Sequence, residues 1–182
     1  MKRILVALLA VLATSTGLEA QSNDQIIQKA IAPLSARSAG GAAVIRWESD
    51  GSYTTLREGS NAFVCYDRSG LPGQAAFAVQ CTNVGNLPRL AQNRAFAAQA
   101  AGDRAANGAL VAAAEANGTR VQPEFGSVWM SMNGESQAAA GTHTTFAAPN
   151  ATTASLGFPE NGRSGGIWIM GAGTDAAHLM IP

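Results

Sequence analysis

Two cysteines, Cys65 and Cys81, constrain this chain more than any other feature. Each lies in a strand-like apolar run: Ala62–Tyr66 carries Cys65, and Ala75–Cys81 ends on Cys81. Between them, Asp67–Gly73 holds two glycines and a proline and reads as a loop. In an exported chain an even pair of cysteines is most simply a disulfide. It would tie one strand to the next and close a loop worth about 3 kcal/mol in the chain-entropy description. Two free thiols are the alternative reading. A metal pair is the weakest, because the spacing is far from C-x-x-C.

Export is read from the first twenty residues. Lys2 and Arg3 give a positive start, Ile4–Ala13 is apolar, and Thr14–Ala20 is small and mostly polar. Leu18-Glu19-Ala20 offers a cleavage site before Gln21, so residues 1–20 read as a secretory signal peptide and 21–182 as one domain. An uncleaved anchor is the alternative, and the apolar run is short for a membrane span. Without Lys2, Arg3 and Glu19, the twelve basic and twelve acidic side chains fall to ten and eleven, a net charge of −1. No basic run of nucleic-acid type and no polybasic membrane patch remains. The expected location is periplasmic or secreted, with no nucleic-acid partner and no membrane contact after cleavage.

The rest of the chain alternates short apolar runs with turn signals. Ser22-Asn23-Asp24-Gln25 has the form of a capping box, and Ile26, Ile27, Ala30, Ile31 and Leu34 follow at helical spacing until Pro33 kinks or ends the helix. Ala43–Trp47, Tyr53–Glu58, Ala62–Tyr66 and Ala75–Cys81 read as a β-meander, with Asp50-Gly51 a tight turn. Pro88–Ala101 is an Ala-rich helix with Leu90, Ala91, Ala95 and Ala98 on one side. Gly102 interrupts it, Ala109–Ala116 resumes, and Asn117-Gly118 stops it. Phe125–Met132 and Thr142–Ala147 are strand-like, and Pro149–Gly166 is a long loop. The last stretch, Ser164–Pro182, places the apolar runs Ile167–Met170 and His178–Ile181 around small residues and reads as a closing β-hairpin. Trp47, Trp129 and Trp168 each sit inside a strand-like run. The expected fold is α+β: an antiparallel sheet built from a β-meander and a C-terminal hairpin, packed against Ala-rich helices.

Three segments resemble a family of uncharacterised exported bacterial proteins: LREGSNAFVCYD at Leu56–Asp67, SVWMSMNG at Ser127–Gly134, and GGIWIMGAGTDAAHLMIP at Gly165–Pro182. In that family an LREG-type segment runs into a Cys, a second Cys follows, and the chain ends on Gly-Thr…Ala-His-Leu-Met-x-Pro. The chain departs from the pattern around His143, where the family has prolines before the His and Met after it. The resemblance implies export and a single domain, and carries no chemistry with it.

Candidate sites are few. Gly162-Arg163-Ser164-Gly165-Gly166 matches G-x-S-x-G, which signals a hydrolase only where a strand enters and a helix leaves. Here a Pro-Gly loop precedes the serine and a strand follows, so no catalytic residue is expected. His143 and His178 are the only histidines. Asp175 could hydrogen-bond the His178 imidazole, and Glu58 and Asp67 could approach in space, but no spacing is diagnostic. Asn117 and Asn150 head glycosylation sequons by pattern and read as turn residues. If the terminal hairpin pairs Met170 with His178, then Met170, His178 and Met180 share one face, as Met130 and Met132 share another. Thioether and imidazole suit Cu(I); a packed core face is the competing reading. The function expected is a small exported domain that binds or scaffolds without catalysis and without a cofactor. Copper binding is the first alternative and a Ser164 hydrolase the second.

Overall fold

A computed structural model of the chain describes residues 22–181. The signal-peptide reading, residues 1–20, and its cleavage point lie outside them. Helix α1, Asn23–Ala30, is closed at its start by the expected capping box: Ser22 Oγ accepts from Gln25 N, and Gln25 Oε1 accepts from Ser22 N. It stops at Ile31, ahead of Pro33, and a short α2, Ala36–Ala39, follows. The remaining helices are α3, Leu87–Gln99, α4, Arg104–Ala116, and α5, Thr153–Leu156. No described helix is long and apolar enough to cross a membrane.

The strands are β1, Ala43–Trp47; β2, Tyr53–Arg57; β3, Phe63–Asp67; β4, Phe77–Asn83; β5, Val128–Gly134; β6, Gly141–Ala147; β7, Trp168–Met170; and β8, His178–Met180. They form one eight-stranded sheet in the order β2-β1-β3-β4-β5-β6-β8-β7. The fold is α+β and the sheet mostly antiparallel, as the turn signals imply. The order of its first half differs from a simple meander. β1 lies between β2 and β3 and runs parallel to β3, pairing Val44 with Cys65. Arg57 explains part of this, because it reaches back and donates to the carbonyls of Ala39 and Ala42. That clamps β2 to the outer side of β1. Gly59 adds a steric reason: a side chain there would strike the Ala43 backbone at 2.6 Å.

Helices cover both faces. On one face Ile27 and Ala30 of α1 pack on Val44, Cys65 and Cys81. On the other, Leu90 of α3 packs on Ile45, Val64 and Tyr66. Cys65 and Cys81 stand opposite each other across β3 and β4 and are joined by a disulfide beneath α1. A third cluster, Ala148, Ala151, Ile169 and Ala177, fastens the terminal hairpin to the loop after β6.

The buried stripe of α3 is rotated from the one its alanines suggest. Arg89 and Leu90 are its buried residues, while Ala95 and Ala98 are exposed. The cause is polar. Arg89 Nη1 donates to Asp175 Oδ2, 86 residues away in the turn of the terminal hairpin, at 2.5 Å. Arg120, just past α4, brings its Nε to within 3.3 Å of the same oxygen. Gln92 Oε1 accepts from Arg120 Nη1 and Val121 N. The end of the α3–α4 hairpin is thereby locked to the end of the sheet. Between these helices the chain turns through Ala101 at φ 48° and Gly102 at φ 88°, so the break needs two left-handed residues. The conformation costs an alanine roughly 1–2 kcal/mol.

Candidate ligand-binding groove

Trp47 ends β1 with its side chain on the α3 face. Tyr53 of β2 and Tyr66 of β3 meet its ring edge-on, with centroids 5.4 and 6.1 Å away. Aromatic quadrupoles favour that geometry. One turn beyond Leu90, Arg94 lays its guanidinium carbon 5.0 Å from the Trp47 centroid. An arginine on the apolar side of a helix is therefore held over a tryptophan by a cation–π contact.

Beside this pair lies an open cavity of about 720 Å³, between α3, the α3–α4 turn and the loops that follow β1 and β3. Tyr66 and Gln80 line it from the sheet, joined by a bond from the Tyr66 hydroxyl to Gln80 Oε1 of 2.6 Å. Burial pushes the Tyr66 phenol well above its ordinary value, against the opposing charges of Arg68 and Arg94. Three of the lining residues each carry a polar atom that is closed to water and makes no hydrogen bond within the protein: Trp47 Nε1, Arg94 Nε and Asn107 Oδ1. Each such group costs roughly 1–3 kcal/mol. Native proteins keep few of them.

Glu48, Asp50 and Asp103 also line the cavity, and all three are engaged locally. Glu48 accepts from Arg46 and Thr54, Asp50 from Ser52, and Asp103 from the first amides of α4. No carboxylate pairs with Arg94 among the described residues. Burial lowers the pKa of its guanidinium, and Tyr66 only partly opposes this.

A second cavity of about 270 Å³ adjoins the first and shares Gln80 and Asn93 with it. Arg89, Trp129 and His178 line it. His178 Nδ1 lies 2.8 Å from the carbonyl of Ala176. A carbonyl only accepts, so Nδ1 carries the proton and Nε2 is left as the acceptor or ligating nitrogen.

The residues singled out from sequence are distributed unevenly. Asp175 does not orient His178, because its carboxylate is taken by Arg89 and Arg120. His143 is exposed on β6 opposite Ser131, away from His178. Asp67 pairs with Lys29 at 2.6 Å. Ser164 ends a 3-10 turn, Gly162–Ser164, that leads into β7, so no strand enters at the serine and no helix leaves it. The terminal hairpin has the register on which the copper reading depends: Met170 opposite His178 and Trp168 opposite Met180. Met170, His178 and Met180 thus share a face with Thr145 and Trp129, while Met130 lies opposite Cys81 and points the other way with Met132. Among the described residues no group of three or more His, Cys, Asp or Glu side chains converges as a metal site. Asn117 caps a turn through Thr119, and Asn150 sits at φ 63°.

The groove itself is hard to see in sequence. Arg94 falls at the i+4 position from Leu90 on one helix, and that spacing was its one signal. Comparison with known proteins finds no matching family model, no similar curated protein and no similar solved structure.

Proposed function

We propose that this chain is an exported, non-catalytic domain that binds a small ligand in the groove between Trp47 and α3. The observation that carries the reading is one cavity lined by three residues that each hold an unpartnered polar atom, Trp47 Nε1, Arg94 Nε and Asn107 Oδ1. Sites of this kind are concave, mostly apolar, and hold a few polar groups that orient what enters. The signal-type N-terminus and the resemblance to exported proteins support export, and the disulfide is compatible with an oxidising compartment. The expected result is that fragments screened by NMR against the disulfide-bonded protein perturb resonances of Trp47, Tyr66 and Arg94. Filling the groove with Ala97→Trp, on the exposed side of α3, should abolish those shifts and leave the unfolding midpoint within about 0.5 kcal/mol. Fragments that bind only elsewhere, or equally well to the filled variant, would refute the reading.

A second reading is a Cu(I) site of Met170, His178 and Met180. The hairpin register favours it, since cross-strand partners hold their Cβ atoms about 4.5–5.5 Å apart. The His178 tautomer leaves Nε2 for a soft ion. Under reducing conditions the protein should then retain Cu(I) against a chelator, with retention lost in His178→Ala and in Met180→Ala. Wild-type protein that releases the ion freely leaves these side chains a structural role only.

A further inference from the structure

Arg94 is a part-buried cation of the groove with no hydrogen bond or ion pair among the described residues, which assigns the ligand a class, provided the groove is the binding site as proposed above. We propose that the ligand is a small organic carboxylate on a planar apolar body, its anion set against Arg94 and its body against Leu71, Leu90 and Ala97. Formally the lining charges cancel: Arg68, Arg94 and Arg104 face Glu48, Asp50 and Asp103. Their engagements do not cancel. Every one of the three carboxylates has a local donor, Arg68 donates to Gln74, Arg104 is exposed, and Arg94 is part-buried without a hydrogen bond or ion pair among the described residues. A half-buried cation without an anion is a costly arrangement that an incoming anion relieves.

The number of donors selects the kind of anion. Arg94 stacks on the Trp47 ring, so the orphaned Arg94 Nε–H and Trp47 Nε1–H belong to one stacked pair. Two donors match the two oxygens of a carboxylate. A phosphoryl group presents three strong acceptors and is ordinarily met by several donors or by backbone amides at a helix start. Here the first amides of α4 are already taken by Asp103. Both orphaned atoms are closed to water, so the anion is met first at the part-exposed Arg94 side chain beside them. The apolar lining, Leu71, Pro72, Leu90 and Ala97, then takes a flat hydrocarbon surface.

The test uses three probes on the disulfide-bonded protein: 2-naphthoate, its neutral amide 2-naphthamide, and inorganic phosphate. Titration calorimetry and tryptophan fluorescence are read at low salt. We expect 2-naphthoate to bind at least about tenfold more tightly than the amide, as a charge-assisted hydrogen bond to Arg94 implies. Phosphate should bind more weakly than either. Arg94→Gln should erase the preference for the acid while amide binding persists, and Arg94→Lys should restore part of it. Equal affinity for acid and amide would overturn the anion class and leave the groove standing. Phosphate binding as tightly as 2-naphthoate would overturn the planar body. Neither naphthyl probe binding, while other fragments occupy the groove, would overturn the class alone. No probe and no fragment binding there would bring down the groove reading with it. Should Arg94→Gln fail to fold, the acid–amide comparison on wild-type protein still decides.

Discussion

Asp175→Ala is expected to lower stability by about 3–5 kcal/mol, the cost of leaving buried charge unpaired. Asp175 is 6% exposed, and so is the Arg120 side chain beside it. Arg89, the other partner, is equally enclosed. Removing the carboxylate strands two guanidinium groups in low dielectric. Arg89 keeps only its bond to the Val121 carbonyl, and Arg120 keeps Gln92 and Asn93. Because this cluster ties α3 and the segment after α4 to the terminal hairpin turn, the loss should appear as a lower urea midpoint and a hairpin that exchanges its amides faster. A change below about 1 kcal/mol would mean that the cluster is solvated and merely local.

The same cluster sets a pH dependence with a defined sign. For Asp175, burial raises the pKa, but hydrogen bonding with Glu115 and Arg89 and the charges of Arg89 and Arg120 outweigh it, holding the carboxyl below its ordinary 3.8. Its stabilisation is therefore complete above the unfolded value and is lost as pH falls through the lower folded one. Glu115 runs the other way. Hydrogen bonding to Asp175, with burial and the Asp175 charge behind it, lifts the carboxyl above 4.5. Its contribution is present below 4.5 and is lost as pH rises through the raised value. Glu115→Gln should remove the second slope while the acid loss remains.

Removing the disulfide by Cys65→Ala with Cys81→Ala is expected to cost about 3 kcal/mol, since the two cysteines are sixteen positions apart. Both sulfurs are fully buried under α1, and Cys81 Sγ lies 3.5 Å from the Ala30 carbonyl. The bond sits where β3 meets β4, in the part of the sheet that both α1 and α3 cover. Its loss should therefore lower the whole cooperative transition and leave no separate early one. Titration of unfolded, unreduced protein should find no free thiol, and reduction should expose two. A double variant as stable as wild type would show that the unfolded chain is already compact around this loop.

The local elements of this chain were written in its own order. The capping box of α1, the Asp50-Gly51 turn, the strand starting at Ala43 and the facing runs of the terminal hairpin follow from neighbours a few residues apart. The hairpin register, a condition when read from sequence, is held by packing, because slipping it by one residue would turn Ile169 out of its cluster. The cysteine pair could be matched from sequence, each half being inside an adjacent strand. What the tertiary structure decided was which partners meet across long separations. Arg57 and Gly59 place β2 outside β1, Asp175 turns α3 onto Arg89 and away from its alanines, and Leu90 then delivers Arg94 to Trp47. Each of these depends on a charged or aromatic side chain finding one partner dozens of residues away. Spacing along a chain encodes which face a residue occupies, and only the packed sheet determines what stands opposite that face.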